Sequence, residues 1–321
     1  MRFFGSLVAT CAVLSPVLKA EPVEESKSLD ELYADAVTEG GKLILYHGGD
    51  TPTQQNSLEE AFTKRFPEIN FTLIVDYSKY HDVRIDNQLA TDSLVPDVVS
   101  LQTLQDFTRW AEADVLLPYK PANFSMIHDS LRDTKGAWMA YKLSTFGFKY
   151  NTSALDGYLA PTSPKNLTDP YWAGKIASSY PNDDDAVLFL YTRYVEKYGW
   201  DWMAKMAQQT ISSTVERTLP ANSSPPDRKL LAWAKHPAAA KLFMNWVISE
   251  EVQTTVVTNS PRTDINTNKP WDIPEANMAA FPKFMEDRAT AEEWRDSFTL
   301  YIGEVQGKPS PGWLGLYPGQ Q

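Results

Sequence analysis

Three consecutive carboxylates, Asp183, Asp184 and Asp185, open a segment with helical periodicity over 183–198. Acidic residues at such a place have two uses. They can satisfy the free N–H groups of a first helical turn and complement its dipole, or they can converge on a cationic ligand or a metal. One residue suffices for the cap, so both uses can coexist. A second constellation, Gly48-Gly49-Asp50-Thr51, lies between a strand-like and a helix-like run. Outward-facing amides there can hold an anion, and a plain turn that needs glycine's backbone freedom has the same composition. An amide wall facing an acidic wall would suit a zwitterionic or mixed-charge small molecule. The four histidines, His47, His81, His128 and His236, stand alone and do not form a metal motif. His47, beside the glycine pair, either reaches the same place or serves structure. Asp76 and Asp86 read as solvated. No nucleophile elbow, zinc-protease helix, phosphate loop or dinucleotide fingerprint occurs, so the chain reads as non-enzymatic and without a cofactor.

These residues need elements to carry them. A polar helix is predicted over 28–38 and a buried strand over Lys42–Tyr46, between Gly40-Gly41 and Gly48-Gly49. A helix over 54–66 follows, stopped by Pro67, then a strand over 71–75, a helix over 80–92, a strand over 97–101 and a helix over 104–113. Strand and helix alternating in this way make a doubly wound α/β lobe with right-handed crossovers. Residues 136–151 read as extended chain crossing to a second lobe. There a strand over 175–179 precedes helices over 183–198 and 200–208, a strand-like run over 213–219 and a helix-like run over 227–235. One amphipathic helix is expected over 236–252, then a loop to Pro274, a helix over 291–300 and an extended tail from Gly307. Trp110, Trp138, Trp172, Trp200 and Trp202 suit a core better than a stacking platform.

Residues 1–20 read as a secretory signal: Arg2 begins it, Phe3–Leu18 is apolar but broken, and Ala20 is small. The run is too short for a membrane anchor, so no membrane insertion is expected. The one cysteine, Cys11, lies inside this segment, so redox, thiolate-metal and thiol-nucleophile chemistry are excluded from the mature chain. Net charge is −11, and −13 once Arg2 and Lys19 leave, which argues against nucleic acid as a partner. Asn70, Asn123, Asn151, Asn166 and Asn222 begin N-glycosylation sequons. They suit a secreted protein of a host with an endoplasmic reticulum, such as a fungus; a Ser/Thr-rich sequence also accounts for them.

The runs Gly41–Tyr46 with the Gly48–Asp50 turn, Phe62–Pro67, Pro96–Val99, Ala113–Tyr119, Gly147–Asn151, Pro170–Lys175, Pro181–Asp185 and His236–Phe243 occur in a familiar order. In that order the chain resembles the bacterial extracellular solute-binding proteins of the ferric-iron, thiamine and polyamine group. The resemblance implies an α/β fold of two doubly wound lobes, the type II periplasmic-binding-protein architecture. It also implies a monomer that closes on a metal, an amine, a thiamine-like or another small charged solute, with an ABC importer as partner in a bacterial host. Lobe 1 would comprise 21–145 and 225–321, and lobe 2 146–224. The cleft would lie at the carboxyl ends of the strands, at Gly48, Gly49, Asp50, Gln102, Thr103, Ser144 and Thr145, with Tyr180, Asp183 and Asp184 opposite. Arg262 matches a position where the family carries an arginine; it would grip a ligand carboxylate or phosphate, or pair with Asp264. Iron sites in the family use neighbouring tyrosines, and the chain has no Tyr-Tyr pair. The second lobe has roughly 80 residues, under three βαβ units of ~30, so it reads as shortened, with the return strand lost. A reduced relative that binds no ligand and serves as a secreted interaction protein is the rival reading.

Overall fold

The computed structural model describes residues 21–144, 146–209, 234–273, 277 and 280–306, together with the backbone course of 212–214 and 227–231. The signal segment, Thr145, Asn222 and the tail from Gly307 lie outside the described residues. In chain order the elements are α1 (Leu29–Glu39), β1 (Lys42–Gly48), α2 (Asn56–Arg65), β2 (Asn70–Asp76), α3 (Ser78–Ala90), β3 (Val98–Leu101), α4 (Leu104–Glu112), β4 (Met139–Lys142), β5 (Ala177–Ser179), α5 (Asp185–Tyr198), α6 (Trp200–Ala207), β6 (Ser212–Thr214), β7 (Asp227–Leu231), α7 (Pro237–Val247), α8 (Glu250–Thr255), α9 (Ala280–Glu286) and α10 (Arg288–Ile302). Among the described residues no helix is long and apolar enough to cross a membrane.

The main sheet has the order β2-β1-β3-β7-β4. β1 runs parallel to β2 and β3, while β7 runs antiparallel to both β3 and β4. Both faces of this sheet are covered, as parallel sheets require. Leu43 and Leu45 of β1 enter one core with Phe62, Phe243 and Trp246. Ile44 and Tyr46, alternate residues of the same strand, face the other core with Ile85, Phe107 and Trp110. Local chemistry sets the ends. Ser28 accepts from the Glu31 amide while Glu31 accepts from the Ser28 amide at 2.8 Å, so α1 begins on a reciprocal cap. At Gly41, φ is 60° and a Cβ would sit 2.7 Å from the Glu68 carbonyl, so only glycine fits that turn into β1.

The predicted first-lobe elements through α4 form with ends shifted by one or two residues. Three later expectations need correction. Residues 227–231 are a strand, not a helix, and β7 is the return strand that the sequence reading took as lost. Helix-forming composition is a weak preference, and the vacant hydrogen-bonding edges of β3 and β4 on either side of this segment override it. The helix expected over 236–252 is broken after Val247, where Ser249 caps α8 by accepting from the Val252 amide. Among the described residues of the crossing segment only Met139–Lys142 is a strand; Phe146, Phe148 and Tyr150 are exposed and outside any element.

The second lobe centres on α5 and α6, with β5 parallel to β6 beside them. The C-terminal chain departs from the expected division. α10 packs into the α5–α6 core through Ala291 and Phe298, and α9 joins Leu104 of the first lobe to Ala186 of the second through Phe281 and Met285. Asn70, Asn123, Asn151 and Asn166 are all exposed.

Phe62 lies 4.8–5.3 Å, ring to ring, from Phe66, Phe71, Phe243 and Trp246. Phe62→Ala should therefore lower stability by about 3–5 kcal/mol in urea unfolding. Leu300→Ala, at a residue 87% exposed, should change it by less than about 0.5 kcal/mol.

Candidate functional site

The chain leaving the carboxyl ends of β1, β2 and β3 forms one wall of a cleft of about 290 Å³, the edge where open α/β sheets bind ligands. Gly49 and Asp50 follow β1; Tyr77, Ser78 and Lys79 follow β2, with Asp82 one turn into α3; Gln102, Thr103 and Gln105 follow β3. The facing wall is the start of α5, Asn182 to Asp185, with Arg288 and Arg295 of α10.

Close packing aligns the first wall. A Cβ on Gly48 would lie 2.2 Å from Ser78 Oγ, and one on Gly49 2.7 Å from Val75 Cγ1. Ser78 Oγ in turn accepts from the Gln102 amide at 3.0 Å, tying three strand ends together. The Gly49 amide donates to the Asp76 carbonyl at 3.0 Å and the Asp50 amide to Gln54 Oε1. These two amides are thus committed within the protein, and the glycine pair is a close-packed turn, not an open anion cradle.

Below this wall the charges are buried and paired. Asp76, read as solvated from sequence, is fully buried and accepts from the Tyr77 amide at 2.9 Å and Arg84 Nη2 at 2.9 Å. His81 Nδ1 lies 3.0 Å from Arg84 Nη1, and burial, reinforced by the Arg84 charge, pushes this imidazole down to about 3. It is neutral, with Nδ1 accepting. His47 is buried, with Nδ1 2.6 Å from the Gly48 carbonyl and Nε2 2.7 Å from the Tyr141 hydroxyl. Nδ1 therefore donates, Nε2 accepts, and the ring fastens the end of β1 to β4. Asp86 also has partners: Trp110 Nε1 at 2.9 Å and Arg109 Nη1 at 3.0 Å.

The cleft itself differs. Burial pushes the Asp82 carboxyl up to about 7, and the neighbouring Asp106 and Asp86 reinforce the rise while Arg109 opposes it. Asp106 is likewise raised by burial, although Thr103 and Arg109 oppose this. On the second wall burial raises Asp184 to about 6, aided by Asp185 and by Asp50 across the cleft; the Val187 amide, which it accepts at 2.7 Å, and Lys79 act against it. An ion pair spans the walls, Lys79 Nζ to Asp183 Oδ1 at 3.2 Å. Arg295 binds Asp185 and Glu292, and Arg288 binds Glu292 at 2.8 Å.

Of the residues expected from sequence, Gly49, Asp50, Gln102, Thr103, Asp183 and Asp184 line the cleft together. Asp184 is the N-cap and Asp183 reaches across the cleft, so the two uses of the acidic run coexist. Gly48, Ser144 and Tyr180 do not line the cleft, and Tyr180 is buried. Arg262 is 4% exposed and lies away from it. Its guanidinium holds Asp264 through Nε at 3.0 Å and Nη2 at 2.6 Å, and the Ile248 carbonyl at 2.8 Å. Tyr77, Ser78, Lys79, Asp82 and Asn182 were missed, though the strand-end rule applied to β2 would have found the first three.

Asp82 and Asp184 titrate higher in the folded chain than the ordinary carboxylate value, so between about pH 4 and 7 the folded state binds more protons than the unfolded state. Stability must then fall as pH rises through that window. Asp82→Asn should raise Tm by about 2–4 °C at pH 8 and leave it unchanged near pH 4, as read by thermal denaturation at both pH values.

Residues 93–233 match the family described as bacterial extracellular solute-binding protein. No curated protein sequence matches the chain. Among solved structures, iron-bound HitA from Pseudomonas aeruginosa aligns with 80% of this chain and 99% of its own at 16% identity and a TM-score of 0.59. The periplasmic binding protein AfuA from Actinobacillus pleuropneumoniae, with fructose-6-phosphate bound, aligns with 81% of this chain and 99% of its own at 16% identity and a TM-score of 0.62. The substrate-binding protein of an ABC transporter from Agrobacterium tumefaciens aligns with 83% and 95% at 13% identity and a TM-score of 0.65. With its return strand antiparallel in the first sheet and its cleft between two lobes, the chain has the type II periplasmic-binding-protein fold, and over residues 93–233 it carries the sequence pattern of the bacterial extracellular solute-binding proteins.

Proposed function

We propose that this chain is an exported solute-binding protein whose two lobes close on a small charged ligand, without catalysing a reaction on it. The observation that carries this reading is the cleft of about 290 Å³, close to the lower bound of roughly 300 Å³ for small-molecule pockets, with charged side chains on both walls. Asp50, Gln102 and Thr103 from the first lobe and Asp183 and Asp184 from the second are the contacts of choice, joined by Lys79 and Asp82. Closure would be driven by contacts that a ligand makes only when both walls reach it. HitA and AfuA, by their descriptions, hold iron and fructose-6-phosphate, so likeness of fold does not select the ligand. In a bacterial host the partner would be an ABC importer. The signal-like segment 1–20 and the exposed Asn70, Asn123, Asn151 and Asn166 support export and N-glycosylation in a eukaryotic one.

The rival, a reduced relative that binds nothing, draws on the two-stranded second sheet seen among the described residues. Thermal denaturation with a panel of amines, thiamine analogues, metal salts, sugar phosphates and phosphonates separates the two. A binder gains RT ln(1 + [L]/Kd), about 2.7 kcal/mol at a hundredfold excess over Kd, and small-angle scattering should show the radius of gyration fall with the same compound. A panel without any stabilising compound, together with a native mass free of adducts, would favour the reduced relative.

A further inference from the structure

Donors and acceptors in the cleft are unevenly committed. The three basic side chains of the lining are in ion pairs: Lys79 with Asp183, Arg288 with Glu292, and Arg295 with Asp185 and Glu292. The N-terminus of α5, which could have received an anion, is taken by the protein's own Asp184 carboxylate. The acceptors are the reverse. Neither Asp82 nor Asp184 forms an ion pair among the described residues, and each accepts only a nearby backbone amide, of Val83 and Val187 respectively. Asn182 Oδ1 and Gln105 Oε1 are buried in the same lining without a donor. The orientation of Asn182 is fixed, because its Nδ2 donates to Thr299 Oγ1 at 2.9 Å and the Gly303 carbonyl at 3.3 Å, which leaves Oδ1 to the cleft. The hydroxyl of Thr103, a residue 4% exposed, also lacks a hydrogen-bond partner of good geometry. Buried acceptors without donors are costly, and they mark the chemistry of what is missing. Arg295 Nε, a buried donor without an acceptor, asks for one acceptor in return.

We propose that the cleft takes a small organic cation with an ammonium or amidinium head and one acceptor group, seated between Asp82 of the first lobe and Asp184 of the second, and that it exchanges this cation for protons. The proposal rests on the solute-binding reading and deepens it. A bare metal ion fits less well, since no group of three or more carboxylate or imidazole side chains suited to hold one occurs among the described residues. The exchange follows from the surroundings of Asp82. It shares its helix with Asp86 and Lys79, meets Asp106 and Arg109 from α4, and faces Asp183, Asp184, Asp185, Arg288 and Arg295 across the cleft. Three carboxylates share one guanidinium here, with Asp106 buried and Asp82 half-buried, and such a group retains a proton near neutrality. A cation placed there takes the place of that proton, so binding releases protons and tightens as pH rises.

Isothermal titration calorimetry on the full chain tests this with ethanolamine and 3-amino-1-propanol as cationic probes, and with inorganic phosphate, glucose 6-phosphate and calcium chloride beside them. The expected result is binding of a cationic probe about tenfold weaker at pH 6 than at pH 8, with a buffer-dependent heat that reports proton release. Asp82→Asn should bind at pH 8 with the weaker affinity and lose most of the pH dependence, its fold checked by circular dichroism. Binding of phosphate, sugar phosphate or calcium without either amine would overturn the cation class and leave the solute-binding reading standing. Amine binding that is unchanged from pH 6 to 8 would overturn the exchange. Silence from every probe at both pH values would count against the cation and the binder alike.

Discussion

No side chain fits between the end of β1 and the start of α3. A Cβ at position 48 would collide with Ser78 Oγ, and that same oxygen receives the Gln102 amide from the end of β3. This contact gathers the exits of three strands into one rim, so Asp50, Lys79, Asp82 and Thr103, distant in sequence, share a wall. His47 adds a fourth element, since its ring links the Gly48 carbonyl to Tyr141 of β4. The position of every first-wall group depends on this narrow stack of backbone and hydroxyl contacts more than on any charge.

Charge is handled in two ways within a short distance. Under the rim, Asp76 and Arg84 are withdrawn from water as a pair and His81 is held neutral beside them, so the floor carries little unbalanced field. Removing one member of such a pair strands its partner, which is why these groups fix geometry. In the cleft the carboxylates outnumber the cations that could neutralise them, and desolvation raises Asp82 and Asp184 instead. The protein thereby keeps unsatisfied electrostatic demand in the cleft between its lobes, at the expense of some stability at neutral pH.

The sequence was most legible where local pattern and tertiary need agree. The strands of the first lobe alternate residues between two cores, and Gly, Pro and Ser mark their ends, so β1 to α4 could be read directly. By the strand-end rule the cleft was expected at Gly48, Gly49, Asp50, Gln102, Thr103, Ser144 and Thr145, with Tyr180, Asp183 and Asp184 opposite, and of these Gly49, Asp50, Gln102, Thr103, Asp183 and Asp184 line it. It failed where distant chain decides. Residues 227–231 have the composition of a helix and become a strand because two edges await them. Asp76 reads as a surface carboxylate until Arg84 is seen to reach it from the next helix. Arg288 and Arg295 give no local sign of cleft duty, because α10 lies a hundred residues beyond the helices against which it packs. Arg262 carried a family expectation, but its own neighbour Asp264 satisfies it.

β7 has a further consequence, for the order in which the chain can assemble. Its place in the sheet lies between β3 and β4, and these two strands leave the ribosome long before residues 227–231 are made. The first lobe therefore cannot complete its sheet from its own contiguous sequence. α5 and α6 can pair as soon as they are synthesised, whereas β3 and β4 must hold a slot open across the 84 residues between β4 and β7 until the return strand arrives. Long-range pairing of this kind is slow, and it leaves strand edges open in the meantime. The architecture that puts the cleft between two lobes thus makes one of them wait for the other.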